Sequence, residues 1–114
     1  MQKIGRYTFN ACRAFETIII PDTVNFIGEY AFHSCINLKI VHLPNNLTCV
    51  EEGVFYDCER LKGEIIVPDS VTSINYGPFY SGNRFNQIII SVPSSLLEYK
   101  ENLEYGSNAT IIWR

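Results

Sequence analysis

The chain has 114 residues, 46% of them apolar, with 9 basic and 12 acidic side chains and a net charge of −3. That apolar content excludes a disordered chain, and the length suits one domain burying about two-thirds of its unfolded surface. The negative balance and the lack of any Lys/Arg run argue against nucleic acid or an anionic membrane as partner, and no apolar segment is long enough to span a bilayer.

In chain order, Ile4 to Phe26 reads IGRYTFNACRAFETIIIPDTVNF and Ile27 to Cys49 reads IGEYAFHSCINLKIVHLPNNLTC. Val50 to Ser73, VEEGVFYDCERLKGEIIVPDSVTS, repeats the pattern once more, and a worn fourth copy starts at Ile74. The period is 23, lengthened to 24 in the third unit by Gly63. Self-similarity at that period marks a solenoid, in which one repeat is one coil and no coil buries its apolar side alone. Equivalent positions hold equivalent side chains. The first apolar column reads Ile4, Ile27, Val50, Ile74, and the aromatic one Phe9, Phe32, Phe55, Phe79. Then come Cys12, Cys35, Cys58 and Gly82, followed by Phe15, Leu38, Leu61 and Phe85. Val24, Leu47, Val71 and Leu96 close each coil.

Within each unit a short strand is expected ahead of the proline: Thr17–Ile20, Ile40–Leu43, Glu64–Val67 and Ile89–Val92. Ile18/Ile20, Val41/Leu43, Ile65/Val67 and Ile90/Val92 alternate there as a half-buried strand requires. Pro21, Pro44, Pro68 and Pro93 cannot donate to a ladder, so each strand stops at the same height. A second extended piece follows at Val24–Ile27, Leu47–Val50 and Val71–Ile74. Next, Glu29–Cys35 and its equivalents should make one helical or 3₁₀ turn with Phe32 and Cys35 inward. After Pro93 the pattern changes. Ser95 and Glu98 stand at capping-box spacing, Leu96, Tyr99 and Leu103 share a helical face, and Gly106 suits the residue past the helix end. An amphipathic helix and a last strand, Ala109–Trp113, should therefore cap the array.

The segments IGEYAFHSCINLKIVHLP and IIVPDSVTSI resemble the BspA-type leucine-rich repeat, whose unit runs roughly Ile-Gly-x-x-Ala-Phe-x-x-Cys-x-x-Leu-x-x-Ile-x-Ile-Pro. The resemblance implies an α/β, right-handed leucine-rich-repeat solenoid of about four coils (4–26, 27–49, 50–73, 74–93) with a parallel concave sheet and a cap over 94–114. It also implies a non-enzymatic scaffold for protein interaction or adhesion, at the cell surface or secreted. MQKIGRY enters the first repeat without a signal-peptide core, so the expectation is either a cytosolic protein or a mature or truncated piece of a longer surface protein.

Chemistry has little to stand on. Cys12, Cys35 and Cys58 fit a buried ladder of apolar thiols, and Cys49 lies outside it. Without a C-x-x-C pair, and with only His33 and His42 as further ligands, no metal or other cofactor is expected. A contact between His42 and Glu64 is conceivable, but no nucleophile elbow, phosphate loop or paired-carboxylate motif accompanies it. Asn46 and Asn108 head glycosylation sequons. The concave face is the expected site. By alternation its outward files are Thr17, Ile40, Glu64, Ile89 and Ile19, His42, Ile66, Ser91. Ile19, Ile40, Ile66 and Ile89 would supply apolar contact with another protein, and His42 and Glu64 orientation. The first coil has no cap before it and would show Phe9, Phe15, Ile18 and Ile20 at a naked edge, so self-association through it, or a structural role as the end of a longer array, is the alternative.

Overall fold

The computed structural model describes residues 2–81 and 87–114; Gly82 and Phe85 of the repeat columns lie outside the described residues, as does Met1 of the N-terminal edge. The strands are β1 (Gln2–Ile4), β2 (Thr17–Ile19), β3 (Val24–Ile27), β4 (Ile40–His42), β5 (Cys49–Val50), β6 (Lys62–Ile66), β7 (Ser73–Ile74), β8 (Gln87–Val92) and β9 (Thr110–Trp113). They stack into parallel ladders along two sides of a solenoid. One side carries β2 on β4 and β6 on β8 on β9; the other carries β1 on β3 and β5 on β7. In register, Thr17 pairs with Ile40 and Ile19 with His42, while Glu64–Ile89–Thr110 and Ile66–Ser91–Ile112 run across the last three strands.

The array has about five turns rather than four, because the C-terminal segment is itself a coil. A 3₁₀ helix (Ser94–Tyr99) runs into α1 (Lys100–Glu104), and β9 then returns to the ladder as its fifth rung. Leu96 and Leu103 are buried beneath it, and Gly106 sits just past the helix at φ 67°. The capping box does not form. Pro93 occupies the N-cap position with no side-chain bond, and the first half winds as 3₁₀.

The other coils differ from the helical turn expected of Glu29–Cys35. Its i→i+3 bonds are made, from Ala31 to Gly28, His33 to Tyr30 and Cys35 to Phe32 (3.2, 3.1 and 3.4 Å). Tyr30 and Ser34, however, adopt left-handed φ of 56° and 57°, as do Tyr7, Ala11 and Asp57 in the neighbouring coils. A left-handed residue in every second turn prevents winding, and turns the alternate N–H groups outward along the array. Tyr7, Phe9 and Ala11 donate to the carbonyls of Glu29, Ala31 and His33 (3.2, 2.8, 2.7 Å), and Tyr30, Phe32 and Ser34 to Glu52, Val54 and Tyr56 (3.0, 2.9, 2.7 Å). Phe55 and Asp57 repeat this to Pro78 and Tyr80, and Gly77 and Ser81 to Asn102 and Gly106. Every such bond points from one coil to the next towards the C-terminus.

The core is the set of inward columns. Phe9, Phe32, Phe55 and Phe79 stack face to face with centroids 5.2, 5.4 and 5.5 Å apart, a spacing set by the rungs. Cys35 and Cys58 are buried free thiols that donate back to the carbonyls of Phe9 and Phe32 (3.1 and 3.0 Å). In the first coil Ile4, Phe9, Cys12, Phe15 and Ile18 are half-buried, as an open end requires. Ile20 departs from that expectation and is buried, where its N–H donates to the carbonyl of His42.

Candidate functional site: the exposed strand face

Because strand side chains alternate, β2, β4, β6, β8 and β9 send Ile18, Val41, Ile65, Ile90 and Ile111 towards the core and the residues flanking them outward. The outward isoleucines are exposed, at 69% for Ile19, 40% for Ile40, 55% for Ile66 and 38% for Ile89. Ile112 of β9, at 47%, continues the series. Strand register within each ladder, carried from β4 to β6 by the repeat alignment and the Lys62–Lys39 backbone bond, places them in a zigzag, one to a rung and alternately in each file. Thr17, His42, Glu64, Ser91 and Thr110 occupy the complementary squares. Five rungs at about 4.8 Å make a stripe about 19 Å long. Ile112 was not among the expected site residues. Its signal was the alternation in TIIW, which matches the other strands once the helix is allowed as a coil.

The stripe crosses a seam. β4 and β6 touch through the Lys62 N–H, which donates to the carbonyl of Lys39 (2.9 Å), but they belong to separate ladders. Gly63, the inserted residue, sits there at φ 75° with open space around it. Ser91 is outward by alternation yet 8% exposed, because Arg114 folds across it. The Arg114 guanidinium donates to Ser91 Oγ (2.9 Å), to the carbonyl of Val67 and to Asp69 Oδ1 (3.0 Å).

His42 and Glu64 are both exposed, and among the described residues no hydrogen bond or ion pair joins them. They lie diagonally rather than opposite, since His42 shares the file of Ile66 and Glu64 that of Ile40. The pair assembles no acid–base chemistry. Cys49 is half-buried with its Sγ 3.5 Å from Glu51 Oε2; burial pushes its thiol up, and the nearby carboxylate adds to this, so it is a poor nucleophile. Contact with Cys35 and burial likewise raise the Cys58 thiol. No group of three His, Cys, Asp or Glu among the described residues is placed to hold a metal, and no helix there is long and apolar enough to cross a membrane.

The turns carry aromatic rings that were not among the expected site residues. Tyr7 stacks on Tyr30 (5.3 Å), His33 on Tyr56 (5.2 Å) and Tyr56 on Tyr80 (4.5 Å). The Tyr30 hydroxyl donates to Glu52 Oε2 at 2.6 Å, and this bond, with burial, pushes its pKa up to about 12.

The profile of the BspA type leucine rich repeat region matches residues 2–112, as six copies. The chain belongs to the BspA-type leucine-rich repeat family. Two solved structures resemble this BspA-type array closely. A leucine rich cell surface protein from Faecalibacterium prausnitzii A2-165 has a TM-score of 0.78 and 28% identity over 97% of this chain. A leucine-rich repeat protein from Bacteroides ovatus ATCC 8483 has a TM-score of 0.81 and 27% identity over 96%. The chain spans only 29% and 28% of those two proteins. No curated protein matches it.

Proposed function

We propose that this BspA-type array is a non-enzymatic protein-interaction module at the cell surface, gripping its partner with the exposed strand face. The observation that carries the reading is the isoleucine zigzag. One large apolar side chain stands on each of five consecutive rungs of a face that no part of the described chain covers, save Arg114 over Ser91. Burying one isoleucine contributes about 1.5–3 kcal/mol, so two or three together support micromolar binding after association costs. Ile19, Ile40, Ile66 and Ile89 supply that area, with Ile112 extending it, and His42 and Glu64 set orientation. A surface location is supported by the description of the Faecalibacterium protein.

Ile66→Asp is the test. Its side chain is more than half exposed, so the charge stays solvated in the free protein and Tm should move by only a few degrees. Affinity for a partner recovered on the immobilised chain should fall at least about tenfold, the equivalent of about 1.4 kcal/mol. Glu29→Ala on the far turn serves as the control and should leave affinity unchanged. An unaltered affinity for Ile66→Asp would remove the strand face from consideration.

A second reading, that the chain is the capped end of a longer array, is supported by the first coil. The carbonyls of Arg6, Thr8 and Asn10 occupy the positions that accept N–H groups from the preceding coil in the second and third coils, and among the described residues nothing donates to them. Two first coils laid face to face would set acceptor against acceptor. A further coil of the same polarity therefore fits this end better than self-association does. Light scattering that found a stable dimer lost on mutating Phe9 would overturn that preference.

A further inference from the structure

One backbone column is left-handed throughout: Tyr7, Tyr30, Gly53 and Gly77, with φ of 59°, 56°, 61° and 61°. In the first two coils that column presents stacked tyrosine rings. In the third and fourth it presents no side chain, and a hollow of about 60 Å³ opens over the two glycines. Tyr30 closes it from one end, leaning onto Gly53 so closely that a Cβ there would meet the ring at 2.3 Å. Tyr105 closes it from the other end, 3.2 Å from where a Cβ on Gly77 would stand. The Tyr56–Tyr80 stack and Tyr76 line it as well. Tyr105 meets both neighbours at an angle, tilted 35° from Tyr80 and at 84° to Tyr76, with centroids 5.6 and 6.0 Å away, so the walls of the hollow join at Tyr105. Glu52 completes the lining, and among the described residues there no Lys or Arg offsets its charge.

An aromatic cage with one carboxylate matches one kind of ligand. Ring faces attract a cation whose methyl groups keep it weakly hydrated, and the carboxylate supplies the countercharge. Pockets for drug-sized molecules run to about 300–1,000 Å³, so a hollow this small admits a head group and leaves its chain outside. Tyr30 holds Glu52 in place through the 2.6 Å bond to one carboxylate oxygen, and the other oxygen has no partner among the described residues. We propose that this hollow binds a methylated ammonium head group, of the kind carried by choline or by trimethylated lysine. It is separate from the strand face, and its fate does not depend on what that face contacts.

The probe is tetramethylammonium chloride, titrated into the intact chain while the tyrosine ring resonances are followed by NMR. Saturable shifts at Tyr76, Tyr80 and Tyr105, absent at Tyr7, are expected. Choline should bind about fivefold or more tightly than its neutral isostere 3,3-dimethylbutan-1-ol, the difference being the cation's attraction to the rings. Equal binding of the two, or shifts that never saturate, overturns the proposal. Gly77→Tyr restores the ring that the same left-handed column holds in Tyr7 and Tyr30, fills the hollow, and should abolish the shifts. Should that variant not fold, Glu52→Gln and Tyr105→Ala test the same point, and full affinity in both would sink it. Comparison of choline with free Nε-trimethyllysine then separates the two sources of the head group.

Discussion

Phe32 is fully buried between the rings of Phe9 and Phe55, so its loss leaves a void that the neighbouring coils cannot close without moving. Phe32→Ala should cost about 3–5 kcal/mol, against under about 0.5 for exposed Glu29→Ala, compared by urea midpoints. Tyr30 makes a different prediction. Its folded pKa of about 12 lies above the ordinary 10.0, so the protonated phenol favours the folded state. That contribution is complete below pH 10 and is lost as pH rises through about 12. Absorbance titration of the phenolates should show a late-titrating component that Tyr30→Phe diminishes by one phenolate. The thiols should divide by depth. Cys35 and Cys58 should resist a bulky reagent in the native state, and half-buried Cys12 at the open end should react first.

Elements here are short, and single residues decide where they bend. Gly53 and Gly63 are both left-handed, yet only Gly53 has a ring where its Cβ would stand. Gly63→Ala should therefore cost about 1–2 kcal/mol, the backbone strain alone. Gly53→Ala should cost distinctly more, and equal thermal shifts would contradict the packing of Tyr30 on Gly53. The strands and their heights were legible in the sequence because each ends at a proline and alternates about a core isoleucine or valine. The turns were not, because apolar spacing of three fits a helical turn and a tandem β-turn alike. A sharper signal was present: a column reading Tyr, Tyr, Gly, Gly marks a left-handed position occupied twice at a steric cost. The outward isoleucines followed from alternation, whereas the burial of Ser91 did not, since Arg114 reaches it from just past β9, 23 residues away.

Across the whole molecule the two ends are unlike. The C-terminal coil carries α1 and buries Leu96 and Leu103, while Ile4, Phe9, Cys12, Phe15 and Ile18 of the first coil are all half-buried. Amide exchange should be fastest in the first coil and slowest in the buried rungs of β6 and β8, a gradient that uniform protection would contradict. The repeat count was misread by one turn because the last coil replaces the repeat motif with a helix, which reads as a lid. Arg114 reaches back from that coil to Val67 and Asp69, crossing Ser91 on the way, and so ties the last three rungs together. Under tension this makes the array a one-way device. Pulled by its ends, it should shed coils singly from the N-terminal side, each releasing about 80 Å of chain. The clamped rungs should yield last, together, and at the highest force.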